Sequence, residues 1–559
     1  MFLLSPKKVR VSILTSLVFL AVSLLFSVKA FHDGPHYGDG PNGQPNGQAL
    51  VAMGKTPCVG GMAGTFPCHN IDLASFLPLN DIGGGTVNDL WGWTDPVTGK
   101  EYAIVGRSSG TSFVDISNPE SPIYLGNLPK HSVDSVWRSI KVYANHAFIV
   151  SEADNHGMQV FDLTRLRNIA SWPVTFTEDA HYAGFRRAHT LAINEATGFA
   201  YAAGSKDTCA GGLHMVDIRN PLAPVFAGCV DQDGYTHETQ CAIYRGPDSV
   251  YQGHEICFSA NEDTLTIVDI TNKSAPKQLS RTTYAGVGYA HQGWLTEDHK
   301  YFLLDDELDE QKSGVKSTTY IWDVGDLDAP IVKGVYTGQS TAIDHNLYIR
   351  GNRAYQGNYR SGLRILDITN VGAASLSEVA FFDVYPLDDA PQFNGAWSNF
   401  PFFPSGIVIV GGIEQGLFVL KPAINGQVLP TPRLMLEETG PSAEQALAFD
   451  ATLFLRDPFT VINTTNPLNQ GSDKNTRVAL FVNDLQLVQG EAPSSVIVNL
   501  VGSNNESYNL PAEDVRPVLS SNFTQVVFRL PDGLVPGTCT IKVKAHGQES
   551  NLGTIRIKS

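Results

Sequence analysis

Ser112-Phe113-Val114-Asp115-Ile116 is the stretch on which the reading of this chain turns, because it recurs. The related runs are Gln159-Val160-Phe161-Asp162-Leu163, His214-Met215-Val216-Asp217-Ile218 and Thr266-Ile267-Val268-Asp269-Ile270. Tyr320-Ile321-Trp322-Asp323-Val324 and Arg364-Ile365-Leu366-Asp367-Ile368 continue the series, and Gly416-Leu417-Phe418-Val419-Leu420 is a degenerate seventh copy. The first six are short β-type runs closing on an apolar-Asp-apolar triplet, and their aspartates stand 47, 55, 52, 54 and 44 residues apart. That interval is the period of one four-stranded propeller blade. Asn118-Pro119, Asn220-Pro221 and Ala275-Pro276 follow triplets as turns that punctuate the next strand.

Two further β-type runs precede each triplet, such as Thr190-Leu191-Ala192-Ile193 and Phe199-Ala200-Tyr201-Ala202-Ala203, split by the turn Glu195-Ala196-Thr197-Gly198. Each unit therefore reads as inner strand, second strand, triplet strand and outer strand, with no helical 3.6-residue period. The expected fold class is all-β: a propeller of seven blades plus a C-terminal immunoglobulin-like β-sandwich. Six or eight blades are the alternatives, because the first and last units are the least regular. A closed ring of such units leaves no bare sheet edge. The expected domains are a signal peptide over 1–30, a Gly-rich lead-in over 31–85, the propeller over 86–425, and a linker with the sandwich over 426–559.

Lys7, Lys8 and Arg10 form a basic start, Val11 to Val28 is apolar, and Val28-Lys29-Ala30 offers a small residue at a cleavage point. This predicts export to the cell exterior or surface, with the periplasm as the alternative destination. About 18 apolar residues also just span a bilayer, so an uncleaved segment is the one route to membrane attachment. Export permits disulfides, and Cys58/Cys68, Cys209/Cys229 and Cys241/Cys257 are spaced to pair, leaving Cys539 alone. The 56 acidic against 39 basic residues give a charge of −17. That balance repels phosphate backbones and argues against nucleic acid as a partner.

Propeller connectivity opens the starts of inner strands and the ends of second strands onto one face. His189, His237, His291 and His345 stand at equivalent inner-strand starts. Glu152, Glu262, Asp305, Asp306 and Glu414 stand at second-strand ends. Imidazole with carboxylate suits a transition metal, and clustered carboxylate suits calcium, so a divalent metal is the cofactor this set would take. The structural alternative is that a repeated His ties neighbouring blades by hydrogen bonds and holds nothing. Arg138, Asp344, Tyr359, Arg360 and Trp397 are the candidate contacts for a ligand on the same face. The expected partner is an extracellular protein, a polysaccharide or a small molecule. The acid run Asp305–Glu310 carries five carboxylates in six residues, which repel unless solvated or neutralised. No Gly-x-Ser-x-Gly elbow, His-Glu-x-x-His helix or phosphate-binding glycine loop occurs.

Longer runs carry a family resemblance. They include Trp137-Arg138 with Lys141-Val142-Tyr143, Tyr235-Thr236-His237 with Gln240-Cys241, and His291-Gln292-Gly293-Trp294-Leu295-Thr296. Asp344-His345-Asn346-Leu347-Tyr348, Asn358-Tyr359-Arg360-Ser361-Gly362-Leu363-Arg364 and Gly395-Ala396-Trp397-Ser398 complete them. Over about residues 50 to 422 the chain resembles the LVIVD-repeat propellers of the choice-of-anchor B family. The resemblance implies an exported protein held at the cell surface and assigns no reaction. A sorting motif of the LPxTG kind does not follow Ile557. Instead, Leu530-Pro531-Asp532-Gly533 followed by Pro536-Gly537-Thr538-Cys539 resembles the closing hairpin of immunoglobulin-like domains in exported bacterial proteins. Two function classes stand side by side: a binding or scaffold module acting through its polar channel face, and a metal-dependent enzyme using the His/carboxylate rim.

Overall fold

The aspartate of each triplet does the same local work, and this explains why it repeats. In the computed structural model, Asp115, Asp162, Asp217, Asp269, Asp323 and Asp367 each accept a hydrogen bond at Oδ1 from the backbone N–H two residues on, at 2.8–3.0 Å. An aspartate bonded in this way turns the chain sharply out of a strand. The flanking apolar residues point into the cores on either side, where Val114, Phe161, Val216, Val268, Trp322 and Leu366 are buried.

The structure describes residues 50–424, 432–437, 444–485, 487, 492–518, 523–546 and 548–558. The expected signal peptide over 1–30 lies outside the described residues. Seven antiparallel sheets succeed one another along the chain. Their inner strands are Val87–Thr94, Arg138–Tyr143, Thr190–Asn194, Glu238–Ile243, Ala290–Leu295, Leu347–Arg350 and Ala396–Phe400, for blades 1 to 7. In blades 1 to 6 the triplet occupies the third strand, between Glu101–Arg107 and Ile123–Pro129 in blade 1 for example. Between the third and fourth strands of blades 1, 3, 4, 5 and 6 the register slips just before the aspartate, adding twist at one repeated place.

Seven apolar clusters fill the seams between successive blades, including one that joins blade 7 back to blade 1 through Ile409, Val419, Leu90 and Val105. The ring thus closes with seven blades. It closes inside a blade rather than between two. The outer strand of blade 7 is Ile71–Pro78, antiparallel to Gly416–Pro422. Phe66–His69 and Met62–Ala63 extend the outer edge of blade 6. The segment expected to be a loop-rich lead-in therefore supplies strands to two blades. Outside blade 1, Val174–Thr175 lies parallel to Ile123–Pro129. It approaches so closely that a Cβ on Gly126 would stand 1.9 Å from the Val174 carbonyl oxygen, so only glycine fits there.

The three expected disulfides are present: Cys58–Cys68, Cys209–Cys229 and Cys241–Cys257, with Cys539 free and buried. Beyond the propeller, the described residues form one curled sheet of ten strands, eight of them in a continuous order, around a core that includes Val478, Leu480, Val526, Phe528, Ile541 and Ile555. The long strand Ser507–Pro517 pairs with Ile497–Val501 and also with Phe523–Arg529, which makes the sheet continuous. The stretch that resembles a closing hairpin is not one. Phe523–Arg529 pairs with Arg477–Asn483 and Ser507–Pro517, whereas Gly537–Ala545 pairs with Ile497–Val501 and Gly553–Lys558. Residues 530–536 thus cross from one part of the sheet to another. Among the described residues no helix is long and apolar enough to cross a membrane.

Candidate functional site

Strand register delivers four imidazoles to one place. His189, His237 and His345 stand immediately before or within two residues of their inner strands, and His291 is the second residue of its own. Because successive blades present equivalent positions to the axis, the rings follow one another in an arc. His189 and His237 have centroids 4.2 Å apart, His237 and His291 4.4 Å, and His291 and His345 4.3 Å. Tyr359 extends the arc at 4.5 Å from His345, and Trp397 meets that ring edge-on at 5.5 Å. All four histidines are buried.

Each Nδ1 faces an acceptor. His189 meets Glu152 Oε1 at 2.6 Å, and His237 donates to the His291 carbonyl at 3.1 Å. His291 donates to Asp305 Oδ1 at 2.8 Å, and His345 to the Trp397 carbonyl at 2.5 Å. Backbone carbonyls cannot donate, so for His237 and His345 these contacts fix the proton on Nδ1 and leave Nε2 as the basic nitrogen. Three of the four bonds also cross a blade seam, so the histidines do serve as fasteners between blades 2 and 3, 4 and 5, and 6 and 7.

The carboxylates divide. Asp305, near the end of the second strand of blade 5, and Glu307, the first residue after that strand, turn toward the imidazoles, whereas Asp306 turns away. Asp306 accepts from the Tyr284 hydroxyl and the Gly288 and Tyr289 amides at 2.5–2.7 Å, and so holds the loop before blade 5. Glu307 accepts from the Tyr359 hydroxyl at 2.8 Å, and lies 3.5 Å from His345 Nε2 and 4.0 Å from His291 Nε2. Ligand atoms of His237, His291 and Glu307 all fall within 4.8 Å of one another. Glu307 is absent from the candidate metal set read from sequence. Two-residue alternation from Asp305 was the signal that could have found it.

Burial raises the pKa of Asp305 well above the usual carboxylate range, reinforced by the charge of Glu307. Burial likewise pushes Glu307 up to about 7. For His189 burial opposes protonation, but the hydrogen bond and charge of Glu152 prevail and its pKa is raised.

The other candidates are placed as follows. Glu262 is exposed at the rim, 3.4 Å from the Tyr289 hydroxyl. Glu414 accepts from Asn394 Nδ2 at 2.6 Å and the Gly395 amide at 3.1 Å, as a loop clamp in blade 7. Arg360 donates to Asn394 Oδ1 at 2.6 Å and to Asp388 Oδ1 at 2.6 Å. Arg138 is buried, donating to the Arg107 carbonyl at 2.8 Å and to His156 Nε2 at 2.9 Å, and burial lowers its pKa to about 10. Asp344 is wholly buried, its two carboxylate oxygens without a hydrogen-bond partner, and burial with the charge of Glu310 raises its pKa well above normal. Tyr359 and Trp397 are buried beside His345.

Two spaces adjoin this arrangement. A cavity of about 20 Å³, lined by His189, His291, His345, Glu238, Arg138 and Trp397 among others, admits one water-sized occupant or one ion and no organic molecule. Beside it an open depression of about 510 Å³ is lined by Ser108, Val133, Asp134, Ser135, Trp137, Glu152, Asp154 and Arg187, with neighbouring residues. Trp137 lines both spaces, and Glu152 belongs to the depression while bonding His189.

Ring closure, blade order and repeated triplets together define a seven-bladed β-propeller. The LVIVD repeat model matches residues 97–128 and 257–283, the outer three strands of blades 1 and 4. No curated protein matches the chain. Among solved structures it is similar to the extracellular domain of the putative one component system BT4673 from B. thetaiotaomicron, at 13% identity and a TM-score of 0.39 over 86% of this chain. The match covers 59% of that chain. A protein from Lactobacillus plantarum is similar at 14% identity and a TM-score of 0.37, over 58% of this chain and 88% of that one. The C-terminal WD40 domain of Sif2 is similar at 9% identity and a TM-score of 0.36, over 67% and 97%.

Proposed function

We propose that this chain is an exported binding module that takes a polyhydroxylated ligand, such as a polysaccharide segment, in the depression beside the propeller channel. The observation that carries the reading is the chemistry of that depression. An indole face at Trp137 stands among Asp134, Glu152, Asp154 and Arg187, in a space of about 510 Å³. An indole stacks on the C–H face of a sugar ring while carboxylates and a guanidinium hold its hydroxyls, the pairing of apolar wall and few polar groups that binding sites use. Arg138 and Trp397, which line the small cavity beside the depression, then act beneath the ligand as supports. Three disulfides support an oxidising destination, as does the choice-of-anchor B resemblance. In this reading residues 1–30 direct export, and the curled β-sheet module that follows the propeller presents it at the surface. Calorimetric titration with a panel of soluble glycans tests it: a saccharide binds the wild type and Trp137→Ala abolishes the heat. Equal binding by wild type and variant, or no binding by the folded wild type across the panel, overturns it.

The second reading, a metal-dependent enzyme, is favoured by the convergence of His237, His291 and Glu307 next to the same depression. An ion there would activate water or polarise a substrate group. Turnover of chromogenic esters, phosphoesters and glycosides that is lost on chelation and restored by metal supports it, and inactivity of the metal-replete protein throughout overturns it.

A further inference from the structure

Fastening explains only half of the histidine arc. The hydrogen bonds that tie blades use Nδ1, and they would be satisfied with any neutral surroundings at Nε2. The surroundings are instead acidic. Glu307 is 2% exposed and Asp305 0%, and Glu307 Oε2 and Asp305 Oδ2 are without a hydrogen-bond partner. No Lys or Arg forms an ion pair with either of them among the described residues. Two buried carboxyl groups, each with one oxygen that has no hydrogen-bond partner, stand beside the row of imidazoles, an unmet polar demand that the bonds between blades do not account for.

We infer that His237, His291 and Glu307 hold a single divalent transition metal ion, with zinc the expected occupant, beneath the channel mouth. Imidazole donors disfavour calcium and magnesium, which take oxygen ligands. Two histidines and a glutamate, with the fourth position left to water, are an established zinc donor set. The supporting contacts have the matching form. Asp305 accepts from Nδ1 of His291 and also from the Gln292 amide at 3.1 Å, which orients that ring and raises its basicity. His237 is oriented by the His291 carbonyl. Ligand atoms spread over 4.8 Å need only small side-chain rotations to reach bonds of about 2.0–2.2 Å. Tyr359 holds the other Glu307 oxygen and so presents one oxygen to the ion. The site is independent of what fills the depression: loss of the glycan reading leaves the metal intact, and the reverse.

The test uses the untagged full chain, stripped with a chelator, dialysed and checked for native fold by circular dichroism. Zinc is titrated calorimetrically, and cobalt(II) is titrated in parallel by visible absorption. The expected result is one equivalent of either ion, with the intense visible bands of four- or five-coordinate cobalt, and a zinc-induced rise in melting temperature. Glu307→Gln preserves volume and the bond from Tyr359; it abolishes stoichiometric binding while the folded spectrum persists. Asp305→Asn weakens zinc by about 10–100-fold, the usual effect of losing an outer carboxylate. Folded wild type that binds no stoichiometric zinc or cobalt overturns the inference, as does Glu307→Gln that binds with wild-type affinity and spectrum.

Discussion

Gln292 and Leu347 exchange two hydrogen bonds across the seam between blades 5 and 6: the Gln292 side chain donates to the Leu347 carbonyl at 3.0 Å and accepts from the Leu347 amide at 3.0 Å. A side-chain amide here imitates a strand neighbour where two inner strands have splayed too far to pair. Related contacts recur, with Gln240 accepting from the Leu295 amide at 2.7 Å and the Ser139 hydroxyl accepting from the Leu191 amide at 3.2 Å. Gln292→Ala leaves two buried backbone groups unpaired and is expected to cost about 2–4 kcal/mol. Urea unfolding that shows a change below about 0.5 kcal/mol would refute the role.

Phe76 anchors the strand that closes the ring. Its ring lies 4.5 Å from Phe418 and 6.2 Å from Phe66, and it is 1% exposed. Phe76→Ala is expected to cost about 3–5 kcal/mol, in line with deletion of a buried aromatic ring. Limited proteolysis should cut the variant first near blade 7. Wild-type resistance there would show that the closure does not depend on this ring.

Cys241 and Cys257 face each other directly in register on the inner and second strands of blade 4. Their bridge closes a separation of 16 residues. Replacing both by serine should lower unfolding free energy by about 3 kcal/mol on the loop-closure account, leaving the far-ultraviolet spectrum in place. An unchanged denaturation midpoint would remove the bridge from the set of stabilising features.

Mild acidification should draw a destabilising contribution from His156, opposed by the buried carboxyl groups of Asp305, Glu307 and Asp344, whose raised pKa values favour the fold as pH falls. That side chain is 0% exposed and receives Arg138 Nη1 at 2.9 Å, so its ring is neutral in the fold. Burial first, and the Arg138 charge second, depress its pKa from 6.5 to about 3. The unfolded chain takes up a proton near pH 6.5 that the fold refuses, so the stability is whole above 6.5 and is lost as pH falls toward 3. Between pH 7 and pH 5 this group alone accounts for about 2 kcal/mol. His156→Gln should flatten that slope; thermal melts in which it retains the wild-type slope would assign the effect elsewhere.

What the sequence disclosed and what it withheld differ by range of interaction. Asp115 and its five counterparts are legible because their bond reaches only two residues along the chain. The histidine arc is legible too, since a fixed position at the start of an inner strand means a fixed position at the axis. The acceptors of those histidines are not: the carbonyls of His291 and Trp397 belong to the next blade, and any residue offers a carbonyl. Ile71–Pro78 reads as a continuation of a glycine-rich segment, and its partner Gly416–Pro422 lies at the far end of the repeats. Ser507–Pro517 escaped notice because it mixes charges with two prolines and has only one fully buried apolar side chain, Ala512. Glu307 was hidden by its neighbours: in a run of five acids only strand alternation separates those that turn inward from those that do not.

The seam inside blade 7 also sets a clock. A chain emerging from its N-terminus presents Ile71–Pro78 before any other strand of that blade exists, and the partner strand Gly416–Pro422 is the last of the propeller to be made. Six blades have all their strands, and can begin to pack, while Ile71–Pro78 still waits with an unpaired edge. Contacts between residues so distant in sequence form late and slowly. The finished ring is therefore reached in one final docking step, and the interval before it is when the nascent protein is most exposed to proteases and to pairing with the wrong partner.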